Sequence, residues 1–387
     1  MSPPGLLPAD AADALLVGRV WDPGTGGPRP VAVRGDGLAD LFGTAATVSS
    51  LLELPSADLA RAAAAAPVRW SLAAATDPAA TGPRLLAPVD LQVVKACGVT
   101  FAGSMVERVI EERCAGDPAL ADTVRAQVTA ALGDGVTGGL SGVVPGSAEA
   151  DRIRTVLRER GLWSQYLEVG IGPDPEVFTK APVLSSVGPG ARVGIPDFSD
   201  WNNPEPELVL VVDSRGVPRG ATLGNDVNLR DVEGRSALLL GMAKDNNASS
   251  ALGPFVRVFH DGFTLDSVRA ERIALRIEGP EGFVLDAHND VGRLSRTPEQ
   301  LVAAAYGAHH QYPDGFVLYT GTLFAPTRDR GAAGKGFTHL VGDRVTISSP
   351  QLGALVNDVG RTEELPSWEF GIGALIGYLH RQAAGSG

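Results

Sequence analysis

Two glutamates one residue apart open an apolar run: Glu205-Pro206-Glu207 leads directly into Leu208-Val209-Leu210-Val211-Val212. Such a run reads as a β-strand. Side chains at i and i+2 of a strand point to one face, so both carboxylates project together from its start. Like charges held this close raise each other's proton affinity unless a cation sits between them. Three carboxylate oxygens suit Mg²⁺, Mn²⁺ or Ca²⁺ better than a soft metal. The third ligand is assigned to Asp226, nineteen positions after Glu207 in Gly224-Asn225-Asp226. Taken alone, the glutamate pair also reads as a solvated, charge-blunted strand edge.

The surrounding chain is rich in turn formers, with 48 glycines and 28 prolines among 387 residues. That load predicts a strand-rich fold with long loops, of β-rich α+β class, rather than a helical bundle. The length suits one large domain and a smaller one. Leu15–Trp21 and Pro30–Arg34 are short β-type runs around the turn residues Asp22-Pro23-Gly24-Thr25-Gly26-Gly27, which predicts a hairpin. The hairpin and an Ala-rich helical stretch near Leu59–Ala66 make residues 1–84 a small N-terminal β-rich domain, with Ala75–Pro83 as its linker. Residues 85–387 form the second domain. Within it, helical spacing over Ser104–Ala115, a helix over Ala119–Leu132 and a helix capped by Ser147 and reaching Arg160 make a helical insertion. Strands dominate after Glu176, with one helix over Pro298–Gly307 and another near the C-terminus.

A formal charge of −12 and a pI near 5.0 argue against nucleic acid or an anionic membrane as partner. An anionic substrate then needs a local cation, which the carboxylate clamp provides. Cys97 and Cys114 are too few for a disulfide framework or a Cys-ligated zinc. The N-terminus has no basic region followed by an apolar core, and no stretch approaches the ~18 to 20 apolar residues that span a bilayer. The expected location is the cytoplasm.

Lys244 lies eighteen residues past Asp226, beside Asp245-Asn246-Asn247. It reads as a base or as a point charge on a substrate oxygen, against the ordinary fate of a solvated lysine. Glu176 and Lys180, at i and i+4 of a predicted strand, place a carboxylate and an ammonium along one wall, or form an exposed ion pair of little weight. Ser104-x-x-Glu107 has the capping-box pattern of a helix start. His309-His310 precede Thr320-Gly321-Thr322, although a histidine in a polar loop is ordinarily solvated.

Taken together, Glu205-Pro206-Glu207, Gly224-Asn225-Asp226 through Arg230-Asp231, Lys244, Thr320-Gly321-Thr322, Gly342-Asp343 and Leu352-Gly353 resemble the fumarylacetoacetate hydrolase family over roughly Leu86 to Leu379. The resemblance implies a mixed β-roll or barrel, dimeric or higher, with homodimer and homotetramer as the expected assemblies. It also implies Mg²⁺ or a similar ion on Glu205, Glu207 and Asp226, and substrate contacts from Lys244 and Thr322; Lys180 and Arg230 are assigned to substrate binding beside them. Hydrolases and decarboxylases of that family carry a histidine three residues before a glutamate. Here Ser104 stands in that place and Glu107 remains, which puts water activation for C–C cleavage in doubt.

The missing histidine, Leu162-Trp163-Ser164-Gln165-Tyr166-Leu167-Glu168 and Trp201-Asn202-Asn203-Pro204 resemble the family's sugar-acid dehydratases, similar to the 2-keto-3-deoxy-pentonate dehydratases of oxidative xylose and arabinose degradation. In that chemistry a metal-chelated α-keto acid loses a C3 proton and its C4 hydroxyl, and the resulting 3,4-alkene passes, by loss of a C5 proton and reprotonation at C3, to the 4,5-enol, which tautomerises to 2-oxoglutarate semialdehyde. Glu176 or Glu107 is assigned to proton transfer and Lys244 to the enolate. The alternatives are an acylpyruvate hydrolase or oxaloacetate-type decarboxylase on the same scaffold, and a non-catalytic metal and keto-acid binding protein.

Overall fold

The computed structural model describes residues 5–77, 81–115, 117–120, 122–124, 126, 143–159, 161, 163–323, 328–330 and 336–384, without the side chains of residues 102–104, 106, 107, 111 and 118. The predicted helix over Ala119–Leu132 lies mostly outside the described residues.

In chain order the strands are β1 (Leu16–Asp22), β2 (Gly27–Arg34), β3 (Gly37–Asp40), β4 (Val68–Ser71), β5 (Arg84–Leu86), β6 (Val93–Gly98), β7 (Glu176–Ala181), β8 (Arg192–Ile195) and β9 (Asn202–Asn203). They continue as β10 (Pro206–Val212), β11 (Pro218–Asp226), β12 (Asn228–Leu229), β13 (Ser250–Val258), β14 (Arg272–Glu278), β15 (Val284–Asp290), β16 (Phe316–Tyr319), β17 (Arg344–Ser349) and β18 (Gly353–Arg361). Eleven of them form one sheet in the order β4-β3-β2-β1-β13-β11-β10-β16-β6-β7, with β5 paired to β1. Five form a second sheet, β15-β14-β17-β18-β8, and β12 pairs with β9 as a short ribbon. Among the described residues neither sheet closes on itself. Of the two shapes in the expectation, the open roll is the one formed.

The predicted hairpin is present: β1 and β2 pair antiparallel from Asp22 opposite Gly27. It does not stand apart. β1 also pairs with β13, so the strands before residue 85 extend the sheet that carries the acidic motif. The division into residues 1–84 and 85–387 is therefore one of the chain, drawn across a shared sheet. Ala148–Glu159 is helical and Ser147 Oγ accepts from the Ala150 amide at 3.2 Å, as the cap predicts. Pro298–Ala305 and Ile372–Ala384 form the two late helices. The helix with Ser104 begins at Ala102, so Ser104 lies inside its first turn and is not the N-cap.

The position of β10 explains its unbroken apolar run. It lies between β11 and β16, and both of its faces are covered. Leu208, Leu210 and Val212 pack into a cluster with Val345, Ile347 and Leu355 of the second sheet. Val209 and Val211 pack into another with Leu51, Leu59, Val317 and Tyr319. Burying each such side chain stabilises by about 1.5 to 3 kcal/mol, and a strand covered on both faces needs no polar alternation. Glu205 and Glu207 lie before Val209 and Val211 in the same alternation, so the carboxylates leave the sheet on that second face.

Candidate functional site

The three acids converge. One carboxylate oxygen from each of Glu205, Glu207 and Asp226 lies within 4.8 Å of the others, and all three residues are buried. Adjacent antiparallel strands bring them together: Pro206 pairs with Asn225 and Glu207 with Gly224, and the Asp226 amide donates to the Glu205 carbonyl at 3.0 Å. Gly224 has to be glycine, because a Cβ there would stand 2.2 Å from the Tyr319 ring and 2.6 Å from Val209.

Two lysines and an arginine reach the acids. Lys244 Nζ is 2.5 Å from Glu205 Oε2 and 3.2 Å from Asp226 Oδ2. Lys180 Nζ is 2.7 Å from Asp226 Oδ1. Lys180 is fully buried and also donates to the Val227 carbonyl at 3.1 Å, to Ser249 Oγ at 3.2 Å and to the Lys244 carbonyl. A bulge explains its reach: Val94 pairs with Ala181 but Lys95 with Thr179, so Lys180 is the extra residue and departs from strict alternation. Arg108 Nη2 is 2.7 Å from Glu205 Oε1, and its Nη1 is 2.7 Å from Glu233 Oε2.

These contacts set the electrostatics. Burial alone raises the Asp226 carboxyl, but the ammonium groups of Lys180 and Lys244 outweigh it and hold the group below the usual range. Burial opposes charge on Lys244, and the carboxylates of Asp226 and Glu205 overcome that and keep it protonated. Glu207 is different. Burial, then the charges of Asp226 and Glu205, raise its proton affinity well above normal, and its Oε2 accepts the Gly321 amide at 2.6 Å. Glu176, half-buried at the start of β7, is pushed up to about 7 by burial and then by the charge of Glu233.

The donor set fits a hard divalent cation. Among the described residues five carboxylates, Glu176, Glu205, Glu207, Asp226 and Glu233, interact with three cations, Lys180, Lys244 and Arg108. Ionised together they leave two negative charges, and the charge is least compensated at Glu207. An all-oxygen site with that excess matches Mg²⁺, Mn²⁺ or Ca²⁺.

The other predicted residues are distributed as follows. Thr322 is buried next to Gly321, within the segment that touches Glu207. Arg230 is buried with its guanidinium 4.2 Å from the Trp201 ring centroid. The Glu107 side chain lies outside the described residues. His309 and His310 are exposed beyond the helix Pro298–Ala305.

Arg108 and Glu233 were not singled out in the sequence, because their pairing joins residues 125 positions apart and neither belongs to a motif. His339 has no partner pattern in the sequence. It is buried, with Nδ1 2.9 Å from Asp343 Oδ2, and Arg330 binds both oxygens of that aspartate at 2.6 and 2.7 Å. The His339 amide donates to the Asn202 carbonyl at 3.3 Å, so this buried network braces the segment leading to Glu205. Gly342-Asp343 in the sequence was the one available pointer to it.

Residues 165–360, just over half of the chain, match the family model described as Fumarylacetoacetate (FAA) hydrolase C-terminal. A protein of Haloferax volcanii named "Probable 2-keto-3-deoxyxylonate dehydratase" is 31% identical over 201 residues, 52% of this chain and 65% of that protein. A 2-dehydro-3-deoxy-D-arabinonate dehydratase of Saccharolobus solfataricus is 29% identical over 194 residues, 49% of this chain and 60% of that protein. The match thus spans less than two thirds of either relative. A solved 2-keto-3-deoxy-D-arabinonate dehydratase in its apo form has the same fold at TM-score 0.61 and 20% identity, covering 90% of this chain and 99% of that one. A structure of 2-keto-3-deoxy-D-arabinonate dehydratase complexed with magnesium and 2,5-dioxopentanoate superposes at TM-score 0.60 and 19% identity, over 90% and 99% of the two chains.

Proposed function

Because the chain belongs to the fumarylacetoacetate hydrolase family, we propose that it is a divalent-metal-dependent hydro-lyase that removes water from a 2-keto-3-deoxy-pentonate, the D-xylonate or L-arabinonate derivative, to give 2-oxoglutarate semialdehyde. The observation that carries the reading is the convergence of Glu205, Glu207 and Asp226 within 4.8 Å. The choice of dehydration within the family is supported by the two curated relatives, both named as dehydratases.

A bound Mg²⁺, or Mn²⁺ or Ca²⁺ in its place, supplies Lewis acidity at an α-keto acid. Glu205, Glu207 and Asp226 hold it. Lys180 holds Asp226 through its ion pair and forms part of the substrate-site wall, and Lys244 donates to a substrate oxygen that gains charge as the C3 proton leaves. Glu176, whose proton affinity is matched to neutral pH, takes that proton. Glu107 is the second group assigned to proton transfer. Thr322 and Arg230 contact substrate. The expected assembly is a homodimer or homotetramer in the cytoplasm, which light scattering on the purified protein checks for oligomeric state.

The test is to strip the protein with a chelator, restore Mg²⁺, and supply 2-keto-3-deoxy-D-xylonate, 2-keto-3-deoxy-L-arabinonate and an acylpyruvate separately. Semialdehyde from either pentonate, dependent on the ion, is the expected result. Pyruvate released from the acylpyruvate alone means a hydrolase, and binding of the pentonates without turnover means a binding protein.

A further inference from the structure

The guanidinium of Arg108 is shared between two buried carboxylates from distant parts of the chain. Nη2 meets Glu205 and Nη1 meets Glu233, each at 2.7 Å, and the arginine side chain is itself only 13% exposed. Arg108 comes from the helix Ala102–Cys114 and Glu233 from the short helix Arg230–Glu233, which pack against each other. Glu205 belongs to the converging trio and Glu233 does not. A guanidinium can hold two acids at once through separate nitrogens in a fixed plane, whereas a lysine offers a single point charge.

We propose that Arg108 is a positioning residue that fixes the orientation of the Glu205 carboxylate toward the divalent ion, and that Glu233 is the counter-charge that keeps Arg108 from opposing that ion. This rests on the metal reading above. Arg108 takes Oε1 of Glu205 while Lys244 takes Oε2, so the carboxylate is held at both ends and cannot rotate. Outer partners that orient a metal-bound carboxylate ordinarily contribute 10- to 100-fold in metal affinity. Glu233 acts through charge. Without it a full positive charge would stand 2.7 Å from a metal ligand; with it the pair is neutral. The same pair acts on Glu176, where the charge of Glu233 favours the protonated form and Arg108 opposes it. The other groups acting on Glu176 are Lys244 and Glu205, and Cys97 on the neighbouring strand.

The experiment is a Mn²⁺ titration of wild type, Arg108→Lys and Glu233→Gln, read by the electron paramagnetic resonance of free Mn²⁺, with circular dichroism to check folding. Arg108→Lys keeps the charge and loses the fork, and its affinity is expected to fall 10- to 100-fold. Glu233→Gln is expected to lose about 10-fold, and the acid limb of its kcat/KM profile to move to lower pH. A folded Arg108→Lys protein with wild-type affinity overturns the positioning role. Should that variant not fold, the near-isosteric Glu233→Gln carries the test, and unchanged affinity with an unmoved limb overturns the proposal. Wild-type protein that binds no Mn²⁺ would instead sink the metal reading, so the two failures are distinguishable.

Discussion

Lys244 stands between two of the three converging acids, its Nζ 2.5 Å from Glu205 Oε2 and 3.2 Å from Asp226 Oδ2. If Glu205 and Asp226 hold the ion as proposed, an ammonium touching both is placed to touch a substrate oxygen at that ion as well. Lys244→Met is expected to lower kcat by about 10² or more, the usual weight of one donor at a developing oxyanion. Steady-state kinetics decide it: a change in KM alone would remove Lys244 from charge stabilisation.

Glu207 carries the least compensated charge of the site, which sets opposite expectations with and without the ion. In chelator, Glu207→Gln removes a buried acid whose ionisation is disfavoured, so its melting temperature should equal or exceed that of wild type. Wild type in Mg²⁺ at 100 times Kd gains about 2.7 kcal/mol, and the variant should lose that gain. Thermal melts in both conditions check it.

In the proposed mechanism Glu176 gives the site its pH dependence. Its folded value of about 7 lies above the ordinary 4.5, so between those values the folded protein binds more protons than the unfolded chain. Stability therefore falls as pH rises through that window and levels off above it, and Glu176→Gln should flatten this part of the curve. As the base, Glu176 must be ionised, so kcat/KM should rise with pH through an apparent value no higher than about 7, since a bound cation pulls it down. The variant should lose roughly 10²-fold in kcat. Denaturant melts and a pH–rate profile test the two halves independently.

Gly321 links backbone conformation to the ligand set. Its φ of +94° disfavours any other residue, and a Cβ would stand 1.9 Å from Thr100 Oγ1. Gly321→Ala should cost about 1 to 3 kcal/mol and weaken metal binding, because its amide is the donor that holds Glu207. A chemical melt together with a Mn²⁺ titration measures both effects.

The parts of the site that were legible in the sequence are those encoded by short spacing. The i and i+2 period of a strand fixes Glu205 and Glu207 on one face, and the hairpin and the Ser147 cap are equally local. Asp226 and Lys244 stood out as polar residues near the motif rather than through a period, and the role of Thr322 came only with the resemblance to a family. What stayed hidden depends on tertiary pairing. The bulge that turns Lys180 inward is a property of the β6–β7 register, and the Arg108–Glu233 and His339–Asp343–Arg330 contacts form only once the helices and loops are packed. The N-terminal strands read as a separate unit because nothing in residues 16–22 announces that β1 will pair with β13, more than 230 residues away.

Diffraction from crystals grown with Mn²⁺, recorded at the metal's absorption edge, tests the account most directly. One anomalous peak within about 2.0 to 2.3 Å of an oxygen from each of Glu205, Glu207 and Asp226 is predicted, a coordination distance for a small hard cation. Peaks elsewhere, or no peak between the three acids at saturating Mn²⁺, would contradict it.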